Sequence, residues 1–593
     1  MKSHIVRRIA AVFVASTISA CTSGAVSDKA PTSAPAQTIA STRPRVPDGW
    51  PFPLDTPAAA GDRAMVVTDQ PLATEAGVAV LRDGGNAIDA AVATAFALAV
   101  VLPSAGNIGG GGFLVALVDG RSYALDFREQ APAASRRDMY LAANGEVGDR
   151  SVTGHLAAGV PGSVAGLFAA HQKLGSKRWA DLVQPAIQLA EEGFVVDDYA
   201  ATVIKAEAER LARFPASAAL YLPQGRPIAA GTRFKNPDLA RTLRRIADRG
   251  RDGFYTGETA ALIGAEMTRG NGLITARDLE RYQPKWRTPI RFQYRGHDVI
   301  SMPPPSSGGL TLALIAGQLS ADNLAALGWH TAKSVHLMAE SMRRAFAVRN
   351  EVLGDADFVK VDQDQLLSPT FSAALRATIS TEHATPSREV SGRAAPVESR
   401  QTTHFSLTDS HGNGVALTTT LNGWYGSAVT VAGGGFLLNN EMDDFAVKPG
   451  TPNMYGLVQG EANAIAPGKR MLSAMTPTIV LDADRRPLLV TGASGGPFII
   501  TTVFQAISNR LDYGLDVSAL MQAPRLHHQH LPDALRLEKG GFDNADIAAL
   551  RQLGHEVRDF APDDGSIGAT IERRDGRWYG KSDPRISGLA KGY

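Results

Sequence analysis

The spacing of apolar positions changes several times along this chain, and each change marks a different kind of element. Residues 9–20 form a short apolar run behind Lys2, Arg7 and Arg8. This predicts the charged and apolar regions of a secretory signal, because the run is too short to cross a bilayer as a helix. A Ser/Thr/Ala/Pro-rich stretch without periodicity continues through about Arg45, and residues 22–61 read as a flexible tether. The globular pattern begins near Asp62. Gly84-Gly85-Asn86 leads into residues 87–102, an Ala-rich helix that is apolar apart from Asp89. Its uninterrupted apolar part, 90–102, is too short for a membrane span and Pro103 ends it, so a buried core helix is predicted. Residues 113–118 read as a strand closed by a turn at Asp119-Gly120.

Between about 160 and 400 the pattern is mostly helical. In 336–349, Leu337, Glu340, Ser341 and Arg344 alternate with a face of Met338, Met342, Ala345 and Phe346. Pro303-Pro304-Pro305-Ser306-Ser307-Gly308-Gly309 breaks it as a rigid loop. At Thr402 the period switches. Residues 405–409 and 415–421 alternate around His411-Gly412-Asn413-Gly414, a hairpin signal, and 478–482 with 487–491 repeat the arrangement. Ile500, Val503, Phe504, Ile507 and Leu511 then mark an amphipathic helix. Antiparallel hairpins with helices in blocks predict an α+β layered sandwich and not a βαβ chain.

Charge adds one exclusion. Sixty Lys+Arg against 59 Asp+Glu give a formal net charge of +1, which argues against nucleic acid as a partner. The single cysteine, Cys21, rules out an intramolecular disulfide, and its place matters more than its rarity. Ile18-Ser19-Ala20-Cys21 resembles the bacterial lipobox, so residues 1–21 are expected to export the chain to the periplasm, with Cys21 lipidated and anchored to a membrane. A plain signal peptide with Cys21 incidental is the simpler alternative.

The chemistry lies in motifs taken in chain order. Gln401-Thr402-Thr403-His404-Phe405-Ser406 opens the hairpin region, and Thr418-Thr419-Thr420-Leu421-Asn422 ends the paired strand. Asn439-Asn440-Glu441-Met442-Asp443-Asp444-Phe445, the segment Lys469 to Thr478, and Thr491-Gly492-Ala493-Ser494-Gly495-Gly496 follow. Upstream stand Gly85-Asn86-Ala87-Ile88-Asp89, Gly109-Gly110-Gly111-Gly112-Phe113, Asp126-Phe127-Arg128-Glu129, Gly159-Val160-Pro161-Gly162 and Asn236-Pro237-Asp238-Leu239. From about Asp62 to Tyr593 this series resembles the gamma-glutamyltransferase family of N-terminal nucleophile hydrolases.

The resemblance implies an αββα four-layer sandwich, built jointly by a large fragment (62–401) and a small one (402–593). They arise by self-cleavage between Gln401 and Thr402 and stay together as a heterodimer. It also implies transfer of a γ-glutamyl group, from glutathione-like donors to water or to amino acids and peptides, with no cofactor. A threonine hydroxyl is a weak nucleophile, and a free N-terminal amine with a pKa near ~8 supplies its own base. In the implied roles Thr402 is the nucleophile and Thr420 tunes it. Backbone N–H groups of Gly495 and Gly496 form the oxyanion hole. Arg128 and Ser473 bind the α-carboxylate, Asn422, Glu441 and Asp444 the α-ammonium, and Tyr455, in a covering loop at 448–460, closes over Asn422. Ala474 departs from the family's two consecutive serines and removes one donor.

Two other readings stay open at this stage: an acylase of the same fold acting on glutaryl-cephalosporin-type amides, and a non-catalytic surface lipoprotein. Retained Glu441 and Asp444 disfavour the first, and intact Thr402, Thr420, Gly495 and Gly496 the second. Gly109–Gly112 lacks the Lys-Ser/Thr of a phosphate loop, so close helix–strand packing is expected there. His527-His528-Gln529-His530 reads as structural and not as a metal site.

Overall fold

Alternation in the hairpin after Thr402 separates two unlike faces. Phe405, Leu407, Val415 and Leu417 join one apolar core with the helix Ala87–Val101. Side chains of the intervening positions leave the opposite side of the pleat. There Ser406 Oγ donates to the Ala569 carbonyl at 2.9 Å, and the His404 ring packs against Gly492. Both strands, Thr403–Thr408 and Gly414–Thr420, are therefore buried at every position. The computed structural model describes residues 44–390 and 402–593; the leader, Cys21 and Gln401 lie outside them.

Two seven-stranded sheets carry the fold. The first runs, in spatial order, Leu589–Gly592, Met65–Thr68, Thr403–Thr408, Gly414–Thr420, Gly111–Val118, Arg121–Phe127 and Lys285–Arg287. The second runs Ala59–Gly61, Arg577–Ser582, Ile567–Arg574, Pro487–Ser494, Thr478–Leu481, His297–Ser301 and Ile290–Tyr294. Thr403–Thr408 and Gly414–Thr420 lie face to face with Pro487–Ser494. Helices Pro71–Arg82, Ala87–Val101 and Ser163–Leu174 cover the outside of the first sheet; Gly308–Leu319, Phe498–Leu511 and Val517–Gln522 cover the second. The result is the expected αββα sandwich. Strands from before and after Thr402 interleave in both sheets, so backbone ladders hold the two sides together independently of the 401–402 bond. Met65–Thr68, for instance, pairs with both Thr403–Thr408 and Leu589–Gly592.

The lone charge of the Ala87–Val101 helix has a structural explanation. Asn86 and Asp89 form a capping box, and Asp89 also accepts from Ser176 N at 2.9 Å and Ser176 Oγ at 2.5 Å. The carboxylate is thus buried with its hydrogen bonds made. Among the described residues no helix is long and apolar enough to cross a membrane.

Four expectations need correction. Residues 46–61 are not tether: Val46–Tyr593 form one compact unit, and Ala59–Gly61 pairs with Arg577–Ser582. Trp50 is buried there, donating from Nε1 to the Gln522 carbonyl at 3.0 Å. The segment's proline and small-residue content conceals two aromatic anchors, Trp50 and Phe52, whose rings meet edge to face at 5.4 Å. Second, the mostly helical middle contributes three strands to the main sheets, Lys285–Arg287, Ile290–Tyr294 and His297–Ser301, and two more, Phe194–Val195 and Arg233–Phe234, pair with each other; all are five residues or shorter, and Lys285–Arg287 and Ile290–Tyr294 are edge strands. Third, the helix Ala332–Val352 is buried on nearly all sides. Its polar face is neutralised inside, where Glu340 accepts from Arg343 Nε at 3.0 Å and Arg344 Nη1 at 2.6 Å. Fourth, the close approach at Gly109–Gly112 is chiefly of backbone carbonyls, a Cβ on Gly110 striking the Thr420 oxygen and one on Gly112 that of Thr418, while the helix Ser163–Leu174 meets Gly110 through its first N–H, Ser163 N to the Gly110 carbonyl at 3.0 Å. The residues His527 to His530 are buried and hydrogen-bonded, His527 Nδ1 to Thr501 Oγ1 at 2.9 Å and His530 Nε2 to the Ser387 carbonyl at 3.0 Å.

Candidate active site

Strand register brings the two key threonines together. Thr403 pairs with Thr419, so Thr402, one residue before its strand, reaches Thr420 at the end of the partner. The Thr402 hydroxyl donates to Thr420 Oγ1 at 3.5 Å, and that oxygen also accepts from Asn422 N at 2.8 Å. Asn422 holds a left-handed backbone with φ of 74°, which asparagine tolerates better than most residues. Asn107 Nδ2 fixes the Thr420 carbonyl from behind at 2.9 Å.

These threonines line a narrow cleft together with Arg128, Asn422, Glu441, Asp444, Tyr455, Ser473, Ala474, Gly496 and Arg349. Gly495 adjoins it in sequence, and Gln401 is outside the described residues. Gly495 and Gly496 have φ of 115° and 56°. At Gly496 an added Cβ would stand 2.7 Å from the Tyr455 ring, so both conformation and space require glycine.

The far pole is a buried ionic cluster. Arg128, just past the strand Arg121–Phe127, contacts Glu441 Oε2 at 2.6 Å, Glu129 Oε2 at 3.4 Å and the Asp444 carboxylate. Glu441 and Asp444 share one short turn, Glu441–Asp444. One guanidinium faces three carboxylates in a low-dielectric site, so they compete for it. Burial pushes Glu441 well above the usual carboxylate range, against the pull of Arg128. It raises Asp444 as well, and Glu129 to about 7. Burial also works against the Arg128 charge, yet Glu441, Glu129 and Asp444 together hold its pKa above the ordinary arginine value.

Tyr455 covers the cleft, donating from Oη to the Asn422 carbonyl at 2.7 Å. Its loop is pinned where Met454 N donates to Asp443 Oδ2 at 2.9 Å and Asn453 Nδ2 to Asp444 Oδ1 at 3.4 Å. Ser473 Oγ accepts from Met475 N at 3.1 Å, which leaves its hydroxyl hydrogen for another acceptor. Sequence reasoning missed Arg349. The signal was present: Arg349 continues the apolar face of Met342 and Ala345, where a charge is out of place.

Two stacked antiparallel sheets between helical layers, with a threonine at a strand's start inside the cleft, define the N-terminal nucleophile hydrolase class. The chain belongs to the gamma-glutamyltranspeptidase family, whose model matches residues 73–593. It is 45% identical over 536 residues to the glutathione hydrolase proenzyme of Escherichia coli (strain K12), covering 90% of this chain and 92% of that one. It is also similar to the crystal structure of cephalosporin acylase from Bacillus halodurans, with a TM-score of 0.81 and 27% identity over 92% of this chain and 99% of that one. The Helicobacter pylori gamma-glutamyltranspeptidase matches with a TM-score of 0.53 and 44% identity over 54% of this chain and 93% of that one.

Replacing Tyr455 by Phe keeps the ring over the cleft and leaves the buried Asn422 carbonyl without its donor. A lost hydrogen bond of this kind is worth about 1 kcal/mol, so the Michaelis constant for a γ-glutamyl anilide should rise roughly fivefold with kcat nearly unchanged. An unchanged Michaelis constant would show that the contact does not hold the cover in place.

Proposed function

We propose that this chain is the precursor of a γ-glutamyl hydrolase and transferase, which cuts itself between Gln401 and Thr402 and then works through an ester on Thr402. The observation that carries this reading is the presence, in one cleft, of two adjacent threonine hydroxyls and a buried cluster of Arg128 with Glu441 and Asp444. A γ-glutamyl donor needs a nucleophile at its amide and both signs of charge at its other end.

In maturation the Thr402 hydroxyl attacks the Gln401 carbonyl carbon; the peptide C–N bond breaks, an ester forms, and water hydrolyses it. The freed α-amine becomes the base for turnover. It takes the hydroxyl proton as Thr402 Oγ1 bonds to the donor's γ-carbonyl carbon, and it returns the proton to the departing amine. The N–H groups of Gly495 and Gly496 hold the oxyanion, and Thr420 orients the attacking hydroxyl. Water, or the amine of an amino acid or peptide, then releases the glutamyl group. The naming of relatives as glutathione hydrolases supports glutathione-like donors.

At the recognition end, Arg128 and Ser473 take the α-carboxylate, while Asn422, Glu441 and Asp444 take the α-ammonium. A zwitterionic donor permits an exchange of partners: the ammonium replaces Arg128 at Glu441 while Arg128 turns to the carboxylate. No charge is left uncompensated, which would be the costly step in a buried site. A glutaryl group offers no ammonium, so it leaves Glu441 and Asp444 unmatched, and this disfavours the acylase reading. Ala474 supplies no hydroxyl, and a missing hydrogen bond to a carboxylate weakens the grip by ~1.5–3 kcal/mol where nothing compensates.

On a denaturing gel the purified protein should run as two fragments, the smaller beginning at Thr402 by N-terminal sequencing. Thr402→Ala should remain one uncut chain without activity on a γ-glutamyl anilide. A fully active single chain, or a different new N-terminus, contradicts the assignment; faster turnover of a glutaryl than of a γ-glutamyl anilide favours the acylase.

The reading also includes export and a lipid anchor at Cys21, supported by the leader pattern and the Ile18-Ser19-Ala20-Cys21 motif. A multiply acylated terminus holds a protein on a membrane stably, whereas one chain does so marginally. Wild type should fractionate with membranes and Cys21→Ser should not. A soluble wild type whose mature N-terminus is not Cys21 removes the anchor and leaves the catalytic reading untouched.

A further inference from the structure

Arg349 lines the same cleft as Thr402, Arg128 and Ala474, and the scheme above gives it no part. Its side chain is a buried charge, 1% exposed, near the end of the helix Ala332–Val352. The partners it has are neutral: Nε donates to Ser307 Oγ at 2.9 Å and Nη1 to Asn350 Oδ1 at 2.8 Å. No described carboxylate forms an ion pair with it, and the one whose charge reaches it is Asp444. Burial accordingly pulls its pKa down to about 10. Arg128, across the cleft, has three carboxylates in contact. Of the two guanidiniums in the cleft, the one with unmet capacity for an anion is Arg349.

Its position indicates which anion. Ser307 receives the Arg349 Nε hydrogen and passes its own Oγ hydrogen to the Ser473 carbonyl at 2.6 Å, while Ser307 N donates to that same carbonyl at 2.7 Å. One hydroxyl therefore separates the guanidinium from the Ser473-Ala474 backbone, the wall where Ser473 offers a hydroxyl hydrogen and Ala474 offers none. We infer that Arg349 is a specificity-determining residue, the second cation for the donor's α-carboxylate, acting beside Arg128 at the wall where Ser473 is the one hydroxyl donor and Ala474 adds none. Its planar fork suits a carboxylate, and two of its nitrogens are already fixed by Ser307 and Asn350, so little side-chain freedom remains to be lost on binding. The cleft then selects donors by their carboxylate as well as by their ammonium. This deepens the γ-glutamyl reading above and rests on it.

Three anilides separate the two claims: γ-glutamyl, 4-aminobutyryl (no carboxylate) and glutaryl (no ammonium). The quantity read is the ratio of kcat/KM for the γ-glutamyl anilide to that for the 4-aminobutyryl anilide, on protein shown by gel to be cut. Arg349→Gln should lower this ratio roughly ten- to a hundredfold, since a charged hydrogen bond to the carboxylate is lost from one substrate alone. Should that variant fail to mature, Arg349→Lys keeps the charge without the fork and should lower the ratio by about threefold to tenfold. Parallel loss on both substrates at an unchanged ratio, in whichever variant matures, overturns the inference and makes Arg349 a purely structural residue. The underlying reading is judged on wild type alone: it fails where wild type shows no preference for the γ-glutamyl anilide over the other two.

Discussion

The antiparallel pairing of Thr403–Thr408 with Gly414–Thr420 is the constraint on which the rest of the site depends. It sits in the middle of the first sheet, between Met65–Thr68 and Gly111–Val118, with a helical layer on one face and the second sheet on the other. A one-residue slip would send Phe405 and Leu407 out of the core and the polar His404 and Ser406 into it. Register is therefore held by the whole interior, and register is what sets Thr402 beside Thr420. Burial also explains the neutrality of His404: enclosed between sheets and bonded to Thr418 Oγ1 at 2.8 Å, its pKa is pulled down to about 3, and it stays uncharged two residues from Thr402.

A second consequence concerns the two fragments. Each sheet contains strands from both sides of Thr402 paired with one another, so the proposed scission at 401–402 would remove one covalent bond from a network of backbone ladders. The strands Ala59–Gly61 and Leu589–Gly592 tie the two ends of the compact unit Val46–Tyr593 into this network. A free amine at Thr402 can thus be produced without loosening the sheet that positions it.

Much of this was legible in the sequence, for identifiable reasons. Hairpin signals after Thr402, the buried Ala-rich helix and the layered fold class were readable because local pattern and tertiary demand agree there. Most of the candidate residues converge on one cleft because the motifs fall at strand ends and in the tight turns that face it. What escaped depended on partners distant in sequence. Trp50 reads as part of the flexible tether until its contact with the Gln522 carbonyl is seen. Glu340 and Arg344, spaced opposite an apolar face, are buried because later segments cover them, the Thr378 carbonyl accepting from Arg344 Nη2 at 2.7 Å. The contact of Arg128 with Glu441 and Asp444 was equally invisible, since the motifs assign these residues opposite partners on a donor and say nothing of their contact with one another. Arg349 did leave a trace, a charge on an apolar stripe, and that pattern merits weight wherever a helix borders a cleft.

The proposed mechanism requires that Thr402 itself carry the glutamyl group during turnover. The most direct measurement is mass spectrometry of the small fragment after rapid acid quench with a γ-glutamyl donor, followed by peptide mapping. The account predicts one added glutamyl group, lying on the N-terminal residue Thr402 and lost on a chase with water or an amine acceptor. A glutamyl adduct on any other residue, or turnover with no adduct on Thr402 under conditions where release is slowed, would contradict it.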